Sequence, residues 1–152
     1  MKKLNYLLRY RELCESEGSY KEFEYKTIPC RLIRNGHGNW CGYIALNSGD
    51  KYFEASYDDI GYVVHGGITF SDYMKVKEES VYNDVDYWWI GFDTAHSGDV
   101  SPIDYGIYGF DYGFDDETYK DLEYCISEVK ILADQLYDNS ICRKIKTVLE
   151  KI

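Results

Sequence analysis

Apolar residues at Leu4, Leu7, Leu8 and Leu13 recur at roughly helical spacing over residues 3–16, with Gly18 behind them as a stop, and predict a short leading helix. The period then drops to two. From 22 to 34, Phe23, Tyr25, Thr27, Cys30 and Leu32 alternate with charged positions, and Pro29 interrupts them as an edge strand or bulge would. Asn35-Gly36 is the strongest hairpin signal in the chain, since both residues tolerate positive φ, and 40–46 (WCGYIAL) is the expected returning strand. A second turn falls at 47–50, and 51–60 reads equally as loop or irregular strand. Residues 62–64 and 68–70 are β-branched or aromatic runs flanking His65-Gly66-Gly67, where the glycines permit a turn or bulge. Polar residues over 72–86 read as a loop. The run 87–92 (YWWIGF) is apolar on both faces and reads as a central strand, with Gly91 marking close approach by another group.

Residues 95–114 have no clear period. Helical spacing returns with Leu122, Ile126, Val129, Ala133 and Leu136, behind a cap at Asp115 or Asp116. Residues 138–140 (DNS) break that helix, and Ile141, Ile145, Val148, Leu149 and Ile152 mark a last amphipathic one. The order predicts a single α+β domain over 1–152: an antiparallel β-sheet with an N-terminal helix and one or two C-terminal helices packed on one face.

At 152 residues the chain is long enough for one core that buries roughly 70% of the unfolded surface. The five cysteines are scattered singly with no C-x-x-C pair, which argues against a disulfide framework or zinc ribbon and for free thiols in a reducing compartment. With neither a secretory signal pattern nor a membrane-length apolar run, a cytoplasmic location and no membrane association are expected. Charge changes the picture more. The formal net charge is -10, and between Lys77 and Lys120 there is no Lys or Arg, while eleven Asp and Glu residues fall there. Such a field repels nucleic acid and favours cations, metal ions or a basic protein surface, although a solvated acidic face that keeps the chain soluble has the same composition.

The candidate chemistry lies where the apolar run at 87–92 ends. Asp93, His96 and Asp99 follow at three-residue intervals, and His65 sits in a second Gly-flanked run. If the two runs lie side by side, these four meet in one cavity. Imidazole and carboxylate together suit a divalent metal ion such as Zn, Mn or Fe, and the same groups serve as general acid and base, so His65, Asp93, His96 and Asp99 are both the candidate catalytic set and the candidate metal ligands. Each has an ordinary role as well: Asp93 as a turn cap, Asp99 as a turn residue after Gly98, either His as a satisfied core residue. His37 in the NGHG run reads as a turn residue.

VHGGITFS at 64–71 and YWWIGFDTAHSGD at 87–99, with GYIAL and YDDI upstream and LADQL downstream, resemble a family of small uncharacterised phage and prophage proteins. Its pattern is HGG, Leu or Ile, Thr, aromatic, then W-hydrophobic-G-F-D-x-A-H-x-G-D. His65, Gly66, Gly67, Trp89, Gly91, Asp93, His96, Gly98 and Asp99 match it, and Tyr57, Asp58 and Asp59 match an upstream Tyr-Asp-Asp. The resemblance implies a phage setting in the host cytoplasm, with antagonism of host defence among the expected roles. Two functions follow as expectations. In one, the His/Asp pocket, with Asp58, Asp59, Gly66, Gly67 and Trp89 as further ligand-binding residues, binds or hydrolyses a small phosphorylated, nucleotide-like ligand. A metal ion would offset the carboxylate charge there. In the other, Asp104, Tyr105, Tyr108, Asp111, Tyr112, Asp115 and Asp116 imitate nucleic acid and block a basic host defence protein, with no direct nucleic-acid binding and no chemistry. Oligomeric state is left open.

Overall fold

The computed structural model describes residues 2–74, 80–82, 86–103 and 119–151. Helix α1 (Lys2–Glu17) ends where expected, at Gly18, whose φ of 74° lets the chain reverse and its N–H reach the Cys14 carbonyl at 2.9 Å. Five antiparallel strands follow: β1 (Tyr20–Tyr25), β2 (Ile28–Arg34), β3 (Trp40–Leu46), β4 (Phe70–Tyr73) and β5 (Trp88–Asp93), in the order β1-β2-β3-β5-β4. Helices α2 (Leu122–Asp138) and α3 (Ile141–Glu150) close the chain, and α2 packs on β2 and β3. This is the α+β class the periodicities predicted.

The run 22–34 is not one interrupted strand but two, joined at Lys26 and Thr27, which both take positive φ (50° and 65°). Nothing in that dipeptide announces a turn, so the sequence hid it. Pro29 pairs with Glu24 of β1, while the pairing of β2 with β3 begins only at Cys30. The missing N–H therefore falls where β2 is paired on one side. Between β2 and β3 the hairpin is longer than an Asn-Gly turn. Asn35 Oδ1 accepts from the N–H groups of His37 (2.9 Å) and Asn39 (3.0 Å), and the positive φ falls on Gly38.

Residues 62–64 do not join the sheet. They run extended along α2, with Ile60, Tyr62 and Val64 turned into the core. The Gln135 amide supplies the pairing a neighbouring strand would give, accepting from Val63 N–H and donating to Val63 O, each at 2.8 Å. Alternation identified the inward face but not the partner. The second run, 68–70, meets the sheet at Thr69, whose N–H donates to the Gly91 carbonyl at 2.9 Å, and β4, from Phe70, takes in part of the expected loop at 72–86.

Two glycines set close approaches. A Cβ on Gly42 would stand 2.6 Å from Val129 Cγ2, so α2 seats directly on β3. On Gly91 it would strike the Tyr43 ring, which lies across β5 and explains the close approach expected there.

At the C-terminus, α2 begins later than expected: Asp121 caps it by accepting from Tyr124 N–H at 2.8 Å. Asp115 and Asp116, the expected caps, lie outside the described residues. In α3 the expected orientation is reversed. Ile141, Ile145, Val148 and Leu149 are exposed, and Arg143 is buried instead, bonded to Asp50 at 2.8 Å and to the Thr27 carbonyl at 2.9 Å. A buried ion pair whose guanidinium also donates to the Thr27 and Ala45 carbonyls fixes the rotation of a short helix against the weaker preference of its apolar stripe.

Candidate functional site

The three-residue spacing after β5 builds a compact turn. Asp93 ends the strand, and its Oδ1 accepts from Ala95 N–H at 3.0 Å. Asp99 N–H donates to the His96 carbonyl at 2.9 Å, His96 N–H donates back to Asp99 Oδ2 at 3.1 Å, and Gly98 takes the φ of 93° this closure needs. From behind, the buried Asn39 amide donates to the carbonyls of Thr94 and Val100 (3.2 Å to the latter), and Thr94 Oγ1 donates to Trp40 O at 2.8 Å. The turn is thereby tied to the start of β3.

His65 arrives from the segment along α2, its N–H donating to Glu128 at 3.3 Å. Its ring lies 6.0 Å from that of His96, centroid to centroid. Nε2 meets the Asp99 carboxylate at 2.9 and 3.1 Å, and Nδ1 meets the Tyr124 hydroxyl at 2.7 Å. Because a carboxylate only accepts, Nε2 carries the proton of that bond. His96 is packed over Gly66: a Cβ there would stand 2.6 Å from Nδ1 and 2.8 Å from Nε2, and the φ of 65° is itself a conformation glycine favours.

Asp99 is nearly enclosed, with a side chain 2% exposed. Burial alone would raise its pKa, but hydrogen bonds from His65, the His96 N–H and Lys120, with the charge of His65, outweigh burial and hold the carboxyl below its ordinary value. The Lys120 ammonium stands 3.2 Å from Asp99 Oδ1. On α2, burial first and the charge of Glu128 second push the Tyr124 hydroxyl up, so it stays a neutral phenol.

Among the described residues, His65, His96 and Asp99 form a group that could hold a metal ion, with one ligand atom from each within 4.8 Å of the others. His96 Nδ1 is buried without a hydrogen-bond partner, 3.5 Å from Asp99 and 3.4 Å from Asp93. A tetrahedral ion with bonds of about 2.1 Å requires its ligand atoms roughly 3.4 Å apart, so the group must contract. His96, about one-third exposed, is the least enclosed of the three.

Asp93 stands beside this trio rather than within it, its Oδ2 accepting from Thr69 Oγ1 at 3.0 Å. Gly66 supports His96, while Gly67 (φ 84°) shapes the turn and leaves open space where a side chain would be. Asp58 and Asp59 lie exposed on a single 3-10 turn, outside the trio. Trp89 is buried on the sheet under Arg31, whose guanidinium stacks 4.1 Å above it, and is closed to a ligand. Asp104, Tyr105, Tyr108, Asp111, Tyr112, Asp115 and Asp116 lie outside the described residues. Sequence reasoning missed Lys120, Tyr124 and Glu128. Lys120 is the first cation after the long acidic stretch, and Tyr124 and Glu128 share a helix face at a spacing of four, which were the available hints.

Comparison with family models, curated proteins and solved structures gave no match.

Proposed function

We propose that the His65–His96–Asp99 group holds a divalent cation and, through it, binds a small phosphorylated ligand. The supporting observation is the convergence of two imidazoles and one carboxylate from segments more than thirty positions apart, one of them with a buried, unpartnered Nδ1. Three protein ligands leave positions on a zinc-like ion for a phosphate oxygen or a water, so hydrolysis is the reaction this arrangement supports. A cation on Nε2 would replace the proton that His65 shares with Asp99, and the ring would then carry its proton on Nδ1 and donate it to the Tyr124 hydroxyl, as partners beyond the ligands do in metal sites. Lys120 supplies a second positive charge, so an anionic ligand does not meet the acidic segment's field unopposed. Antagonism of host defence enters as the setting through the resemblance of the two motifs to phage and prophage proteins.

Calorimetric titration with Zn²⁺ or Mn²⁺ tests the cation, expecting one ion per chain and at least a tenfold loss in His65→Ala and in His96→Ala. Inorganic phosphate and nucleoside monophosphates, added to the loaded protein, test the ligand. No saturable cation binding, or binding unchanged in both variants, defeats the reading.

A further inference from the structure

A cleft of about 430 Å³ opens beside the trio and shares His96 with it as a wall. That is the size of a small-molecule site, larger than a cation needs. Its lining is divided. Tyr43 and Phe70 meet edge to face, with centroids 5.2 Å apart at 81°, and give an aromatic surface. Cys41 also lines it, but burial pushes the thiol up to about 11, so it offers a neutral wall rather than a nucleophile.

The polar side of the cleft is Asp93, held at both oxygens: Ala95 N–H donates to Oδ1 and Thr69 Oγ1 to Oδ2, each at 3.0 Å. Its side chain is 32% exposed, and although Oδ1 also lies 3.4 Å from His96 Nδ1, these contacts do not fill the four lone-pair sites of a carboxylate. A carboxylate fixed in this way presents two parallel acceptors, and its complement is a pair of adjacent N–H donors in one plane. Aromatic walls favour that the donors belong to a flat ring.

We infer that the cleft is a subsite for a planar nitrogen heterocycle carrying two adjacent N–H donors, for which guanine is the nucleobase of matching chemistry. With the phosphorylated-ligand reading of the trio, on which this step rests, the site takes a guanine nucleotide, its base in the cleft and its phosphate beyond His96. Adenine and uracil each set an acceptor beside a donor on the edge in question, which would oppose a carboxylate lone pair.

Titration of the whole chain with guanosine, adenosine and uridine in the presence of a chelator isolates the cleft from any cation. Guanosine is expected to bind at least tenfold more tightly than the other two. Asp93→Asn, which replaces one acceptor with a donor, is expected to erase the preference, and Thr69→Val, which releases one oxygen of Asp93, to weaken guanosine about threefold to tenfold. Should the Asn variant fail to fold, the Val variant carries the test. Equal affinity for the three nucleosides, no saturable binding, or a preference untouched by the variants overturns the inference. Zinc titration of the same samples keeps the outcomes apart: zinc without guanosine removes only the subsite, and guanosine without zinc removes only the cation reading.

Discussion

Gly66 and Gly67 form a matched pair that separates backbone strain from displacement of the candidate ligand. Both take positive φ, 65° and 84°, so alanine at either costs roughly 1–2 kcal/mol for the left-handed conformation. In a chain of this size that lowers Tm by about 2–8 °C in each case. Only at 66 does the new methyl meet something: it would stand 2.6 Å from His96 Nδ1, whereas nothing lies within 4 Å of the position at 67. Carbon and nitrogen settle at roughly 3.5 Å, so the imidazole must retreat by about 1 Å. Metal–ligand distances tolerate only about 0.2 Å. Gly66→Ala is therefore expected to weaken Zn²⁺ by at least tenfold, while Gly67→Ala leaves it within about threefold of the parent, measured by calorimetry on samples whose melting is followed by circular dichroism. Equal zinc affinities in the two variants, whatever their stabilities, refute the claim that His96 is a ligand held in place over Gly66.

Cation binding itself is expected to raise Tm, since about a hundredfold excess over Kd contributes about 2.7 kcal/mol, and a chelator to reverse the shift. Asp99 supplies a pH test. Its folded pKa lies below the ordinary 3.8, so its stabilisation is fully present above that value and is lost as pH falls through the folded pKa. Comparing acid unfolding of the parent and Asp99→Asn checks this: their stability difference should be constant at neutral pH and shrink only below about pH 4. Arg143→Ala is expected to cost about 3–5 kcal/mol in urea unfolding because it leaves Asp50 buried and unpaired, whereas Ile145→Lys on the exposed face stays within about 0.5 kcal/mol. If Ile145 proves the costlier position, α3 is rotated from the orientation described. Gly42→Ala, with no room against Val129, is expected to cost about 1–3 kcal/mol.

The sequence by itself determined the class of fold, because periods of 3.6 and 2 are local consequences of backbone geometry and of which face meets water. It located α1, β3 and β5 to within a few residues and the body of α2 though not its start, and it set Asp93, His96 and Asp99 on one turn, since a three-residue spacing beside Gly98 builds a turn from neighbours alone. Pairing was a different matter. Residues 62–64 carry a strand's alternation, yet whether a ladder or the Gln135 amide satisfies their backbone depends on which element arrives beside them. The apolar stripe of α3 promised an inward face, and a single buried Arg143–Asp50 pair, ninety-three positions apart, outweighed it. Likewise Lys120, Tyr124 and the cleft wall of Tyr43 and Phe70 join His65 and His96 only through packing of α2 on the sheet and of β4 beside β5. Contacts between distant positions are a property of the closed chain, where burial and unpaired polar groups are balanced over all elements at once.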